Sequence, residues 1–325
     1  MTRFVSRDEL LGADDVASLL EGVFNSDASH VVVESGTYTV RRTVKVVLKD
    51  SGRGLCLEGD GVTLTAAMPM GSVLHVEGDK PSARIVVSGF TFDAAGLACI
   101  GLYYFRLLNR TSVLSRLRAK RARKHGFHLV ACQASMMSHC VADTNEQNGF
   151  FLQGCTGLRV ASCEAVSNGQ SGFRVSALKL QLTTGETVPF TQGPELINCL
   201  SDSNGAAGVR FDVVGPDFEL PSGELSTGLV LEDAQLLRNV GDGLRLGPRI
   251  LGAVYDGLWI EPGSGTRPDA MGIRDVCVNP HADPGFPRHL RRGVRLQRRS
   301  KPVLDPTWLA QFGTCTAGDP IMVMG

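Results

Sequence analysis

The sequence predicts an all-β chain, wound as a single-stranded right-handed parallel β-helix with an N-terminal capping helix. Three observations predict it. A short Gly-apolar-X-apolar segment recurs at a step of 23 residues or that step plus an insertion. Asparagines and cysteines recur in phase with it. Both ends of the chain break the repeat, as the caps of a solenoid do.

The repeat is read from HGFHL (125–129), NGFFL (148–152), SGFRV (171–175), AGVRF (207–211) and DGLRL (242–246). Their glycines are Gly126, Gly149, Gly172, Gly208 and Gly243, and Gly101, Gly272 and Gly293 continue the series more loosely. Asn145, Asn168, Asn204 and Asn239 stand four residues before a glycine, and Cys140, Cys163 and Cys199 nine before. Apolar residues fill the first and third positions after each glycine, the alternation of a half-buried strand. Stacking such rungs about 4.8 Å apart sets equivalent residues above one another. The asparagines then form an internal amide ladder, and the cysteines pack the core as thiols.

The elements follow in order. Ser6, DELL and DDVASLLEGVF predict a capping helix over 6–25, with Ser6 or Asp14 as N-cap. HVVVESGTYTV (30–40), TVKVVL, GLCLEG, VTLTAA, SARIVVSGFTFDAAG and IGLYYF read as early strands. Coils fill 30–298, and the tail 299–325 closes the far end, so 1–325 is one domain. Extra residues enter at 179–194 and again at 214–226, from the same corner of consecutive rungs. RLRAKRARK (116–124) reads mostly as one strand showing its outer face, and RHLRRGVRLQRRSK (288–301) is similar.

Hydrophobic residues make up 43% and charged residues 20%, which is a globular composition. With 33 basic and 33 acidic residues, a general polyanion binder is not indicated and no nucleic-acid partner is expected. No run reaches the roughly 18 apolar residues of a membrane span. The opening MTRFVSRDELLGADD lacks the apolar core of a secretory signal, so a cytoplasmic or virion-associated protein is expected. The nine cysteines show no zinc-site spacing, and the 38 glycines suit many tight corners.

GADDVASLLEGVF, HVVVESGTYTV and SGFTFDAAG together resemble the entry of pectin-lyase-like β-helices, which include polygalacturonases, lyases and phage tailspikes. The resemblance spans most of 10–296 and implies the fold. It does not imply one activity, because hydrolases, lyases, epimerases and adhesins share the coil. His125-Gly126 resembles part of the polygalacturonase Gly-His-Gly motif, and Val209-Arg210-Phe211-Asp212 its Arg-x-Lys with the lysine replaced. The paired aspartates of that family are missing from the expected rungs. Asn279-Pro280-His281-Ala282-Asp283 is similar to the Asp-Pro-His-Asp of mannuronan epimerases, with an asparagine first and an alanine inserted.

Chemistry is expected on the outward position two after each glycine: Tyr103, His128, Phe151, Arg174, Arg210, Arg245, Arg274 and Arg295. Such a file is either a solvated face or a groove for an anionic chain, with arginine forks on carboxylate or sulfate. Tyr103 and Phe151 would stack on sugar rings, and the two insertions would wall the groove. Asp212 is the one carboxylate on the stripe, with Glu146, Asp242 and Asp143 near corners, which is thin for a glycosidase. Proton abstraction beside a carboxylate needs a base and cations. His128 or Arg210, with Asp212, would handle the proton; Arg174 and Arg245, with Arg274 beyond, would bind the acid. His30, His75, His139 and His289 read as surface or satisfied residues. No trio of His, Asp and Glu has metal-ligand spacing, and no cofactor is expected.

The expected function is a lyase or epimerase acting on an acidic saccharide or another small polar substrate. The alternatives are a glycan-binding phage-tail or adhesin module without turnover, and a small-molecule biosynthetic enzyme on the same scaffold. A homo-oligomer, dimer or trimer, is compatible with each.

Overall fold

The computed structural model describes residues 1–48, 54–78, 84–106, 112–176, 178–181, 187–190, 193–212, 226–227, 229–246, 250–251, 253–261, 263, 265, 273–275, 289–292, 295–297 and 322–324. These residues form a right-handed parallel β-helix with three strand ladders. The first starts at Thr2–Val5 and stacks on His30–Val33 and then Leu55–Ala66. The second starts at Gly36–Val40, which pairs with the other half of that long strand. The third is a nine-stranded sheet from Val44–Leu48 to Ile273–Asp275. GLCLEG and VTLTAA are thus one bent strand, whose register shifts between Glu58 and Val62.

The repeat columns stack as the spacing predicts. Phe127, Phe150 and Phe173 are in register, with rings 4.9 and 4.7 Å apart and nearly parallel. Cys140, Cys163 and Cys199 are buried, and the Cys140 amide donates to Cys163 Sγ at 3.4 Å. Cys132 and Cys155 are two further buried thiols 23 residues apart. Asn145, Asn168, Asn204 and Asn239 form a continuous ladder, each Nδ2 donating to the next Oδ1 at 2.8, 2.9 and 3.0 Å.

Glycine serves tight turns at Gly61, Gly89, Gly96, Gly154, Gly157 and Gly257, all left-handed, but the repeat column has another role. The repeat glycines among the described residues, Gly101 to Gly243, do not occupy the left-handed region. A Cβ on Gly149 would sit 2.8 Å from Asn168 Nδ2 and 2.9 Å from the Gly172 carbonyl, so the column makes room for the ladder. The left-handed corners fall elsewhere, some at glycines such as Gly89, Gly154 and Gly257 and many at non-glycine residues. Arg116, His139, Ser162, Asn198 and Asp233 form one such column, and Arg121, Thr144, Ser167, Ser203 and Arg238 another. Paired strands on both sides hold each corner in this region, which non-glycine residues otherwise avoid.

The N-terminal cap is two helices, Arg7–Gly12 and Val16–Phe24. Ser6 caps the first in a reciprocal capping box with Glu9. Asp15, rather than Asp14, caps the second, accepting from the Ala17 amide. A strand precedes the cap, because Thr2–Val5 already pairs with the first coil. The basic run at 116–124 is turn, strand and turn rather than one strand: only Arg118–Lys120 is extended. Its cations meet carboxylates of other coils, Arg116 with Asp60 two coils away, and on adjoining coils Arg118 with Asp143, and Lys120 and Arg121 with Asp93. The first insertion folds back as an antiparallel hairpin, Leu178–Gln181 on Thr187–Phe190. Most of the second insertion, the Asn279–Asp283 segment and all of 299–325 except Met322–Met324 lie outside the described residues. No helix among the described residues is long and apolar enough to cross a membrane.

Candidate functional site

The outward file lies on the third face. Tyr103, His128, Phe151, Arg174, Arg210, Arg245 and Arg274 are consecutive register partners. Arg295 does not belong to it: it pairs with Trp259 on another ladder. The file also extends toward the N-terminus, where His75 aligns with Tyr103 and Lys45 with His75. The glycine marker is absent from those early rungs, so the sequence repeat did not reach them. The apolar alternation in VKVVL and VLHVEG carried the only available signal.

The middle of the file is aromatic. The His128 ring packs 5.2 Å from Tyr103 and lies 4.7 Å from Phe151, nearly parallel to it. His125 closes the cluster 5.3 Å from His128 and 4.9 Å from Phe151. Phe151 is only 8% exposed, so it serves as a base under its neighbours rather than as an open platform. Tyr103 is half-buried and meets His75 edge-on. Burial pushes His125 down to about 3 and His128 to about 4, so both imidazoles are neutral at pH 7. His128 Nε2 is 3.2 Å from Gln153 Oε1. A neutral ring donating there carries its lone pair on Nδ1, a buried atom with no hydrogen-bond partner.

Toward the C-terminus the file becomes ionic. The Arg174 guanidinium lies 5.2 Å over the Phe151 ring, and its Nε is 3.5 Å from Asp212 Oδ1. Arg210 donates to Asp212 Oδ2 through Nε at 2.8 Å and approaches it through Nη2 at 2.6 Å. Asp212 therefore sits between two guanidiniums, with 14% of its side chain exposed. Its place between them is that of a counter-ion. Arg245 is exposed, while Arg274 is placed by register alone.

At the other end a cleft of about 660 Å³ opens beside the cap, lined in part by Glu21, Arg42, Lys45, His75 and Tyr103. Lys45 pairs with Glu77 at 3.2 Å and His75 approaches the same carboxylate at 3.6 Å. Glu77 and Asp212 share one column but stand five rungs apart, about 24 Å. That separation is far too large for the two carboxylates of a glycosidase. Of the other carboxylates the sequence pointed to, Asp143 pairs with Arg118, Asp242 is buried and Glu146 is exposed away from the file.

No family model matches this sequence, and no curated protein matches it either. Solved structures do. The ORF18 protein of Geobacillus virus E2 is similar over 81% of this chain, with a TM-score of 0.57 and 13% identity. The chain spans 58% of that protein's length. The pectate lyase Pel9A is similar over 86% of this chain and 81% of its own, with a TM-score of 0.53 and 12% identity. At such identity the shared property is the path of the backbone. The chain is a right-handed parallel β-helix of the pectin-lyase-like fold.

Proposed function

We propose that the chain binds an acidic saccharide along the third face and turns it over by lyase- or epimerase-type proton transfer. The observation that carries this reading is the single file Tyr103, His128, Phe151, Arg174, Arg210 and Arg245, which sets a neutral imidazole two rungs from the first of three successive guanidiniums. Arg174 and Arg245 hold the sugar carboxylate. That interaction acidifies the adjacent C–H, and the enolate-like charge is met by the same cations. His128 enters without a proton at neutral pH and accepts the one leaving carbon. In a lyase outcome the neighbouring C–O bond then breaks and its oxygen takes a proton. In an epimerase outcome a proton returns to the opposite face of the same carbon. The likeness to a pectate lyase supports a polyuronate as the substrate class.

The test is a panel of polyuronates, read by the absorbance of an unsaturated product and by solvent-deuterium incorporation. Arg174→Ala combined with Arg210→Ala should abolish turnover with the β-sheet circular dichroism unchanged. Full activity in that variant removes this site.

A second reading has its own support: glycan binding without turnover, as a virion component. The likeness to a phage protein and the neutralisation of Asp212 by two arginines favour it. A detergent-resistant trimer that binds polyuronates but yields no product would establish this reading over the first.

A further inference from the structure

A second cluster lies on the first ladder, away from the arginine file. His30 and Cys56 are direct register partners on neighbouring coils, and Glu58 follows Cys56 by two residues on the same outward side. One donor atom from each of the three lies within 4.8 Å of the other two. His30 Nε2 is 3.3 Å from Glu58 Oε2, and Cys56 Sγ is 3.7 Å from Glu58 Oε1. Ligands bound to one tetrahedral zinc at about 2.0–2.3 Å stand about 3.3–3.8 Å apart, and both contacts, made to the two oxygens of the one Glu58 carboxylate, already have that length.

His30 is also oriented for ligation. Its Nδ1 lies 3.5 Å from the Thr2 hydroxyl, on the strand that begins the coil. With Nδ1–H directed at that oxygen, the Nε2 lone pair points into the cluster, where Nε2 is buried and has no hydrogen-bond partner. We infer that His30, Cys56 and Glu58 form a three-ligand site for a borderline-soft divalent cation of the zinc type, with a fourth position left for solvent. A nitrogen, sulfur and oxygen set suits zinc or cobalt and disfavours calcium and magnesium, which take oxygen throughout. Binding displaces the thiol proton and ties the first coils together next to the cap. Sequence spacing concealed the site, because the ligands come from adjacent coils and the stacking brings them together.

The test uses the full chain after chelation, titrated with cobalt(II). One equivalent should produce a near-ultraviolet thiolate-to-cobalt band, which zinc abolishes. The band should vanish in Cys56→Ser, and the affinity should fall by about tenfold or more in Glu58→Gln. A band of equal intensity in Cys56→Ser, or none in the wild type, overturns the assignment. A second measurement needs no variant. Zinc should slow alkylation of Cys56 by about tenfold while Cys99, a partly exposed thiol outside the cluster, reacts at an unchanged rate. Equal slowing of both, or of neither, also overturns it.

Discussion

Asn168 and Asn204, 36 residues apart in sequence, share a hydrogen bond of 2.9 Å from Nδ2 to Oδ1 in the buried turn column. The same Asn168 amide accepts from Asn145 Nδ2 and donates to the Ala142 carbonyl. Each side chain therefore ties its rung to the rungs on both sides, satisfying buried groups of its neighbours.

Asn168→Ala removes this amide, and with it the acceptor of the Asn145 backbone N–H and the side-chain donor to the Ala142 carbonyl. Stranding buried polar groups costs about 1–3 kcal/mol each, so a total loss of about 3 kcal/mol is expected. Urea unfolding gives the value. Asn145→Ala should cost less, because Asn145 ends the described ladder.

Gly149→Ala tests why the glycine column exists. If the corners required glycine, alanine would be costly through backbone strain. The observed crowding predicts instead that alanine pushes against the Asn168 amide and the Gly172 carbonyl, at about 1–3 kcal/mol. Pairing Gly149→Ala with Asn168→Ala should then cost less than the sum of the two, because the second change removes part of the clash.

The buried histidines set an acid dependence. Burial holds His125 near 3 and His128 near 4, whereas an unfolded histidine titrates near 6.5. Between those values the unfolded chain binds more protons, so stability falls as pH drops from 6.5 toward 4. Above 6.5 both states are neutral and this contribution is constant. A loss of about 2–4 kcal/mol between pH 7 and pH 4.5 is expected, measured by urea unfolding. His125→Asn with His128→Gln should flatten that slope.

The thiols should divide into two classes. Cys132, Cys140, Cys155, Cys163 and Cys199 are buried, and burial pushes Cys199 up to about 12 and Cys163 well above the ordinary thiol range. Cys56 and Cys99 are partly exposed. Alkylation followed by peptide mapping should modify those two at least about tenfold faster than the five core thiols in the folded protein.

The coil was legible because its determinants repeat. Columns of Phe, Cys and Asn spaced by one rung are visible in text, and parallel stacking turns them into contacts. The same property placed Arg174, Arg210 and Arg245 on one strip. What the text concealed lies in relations that do not repeat. The engagement of Asp212 by Arg174 and Arg210 depends on side-chain rotamers. The burial of Phe151 depends on His125, which belongs to a different position of the rung. Arg295 carried the right local spelling, yet its strand pairs with Trp259–Glu261 on another face. Lys45 and His75 share the file with Tyr103, but their coils predate the glycine marker.

Asp212 discriminates between the chemical readings of the file. As a counter-ion it competes with any anionic ligand for Arg174 and Arg210, and a bound carboxylate must displace it or share its cations. Asp212→Asn keeps the shape, removes the competing charge and leaves two guanidiniums with unspent donors. Affinity for a uronate oligomer, measured by calorimetry at low ionic strength, should therefore rise by about three- to tenfold and decline steeply with added salt. If Asp212 were instead a general base or nucleophile, the same variant would keep its affinity near the starting value and lose turnover. If the arginine file were only a solvated face, wild type and variant alike would show no saturable heat, and the saccharide reading would fall with it.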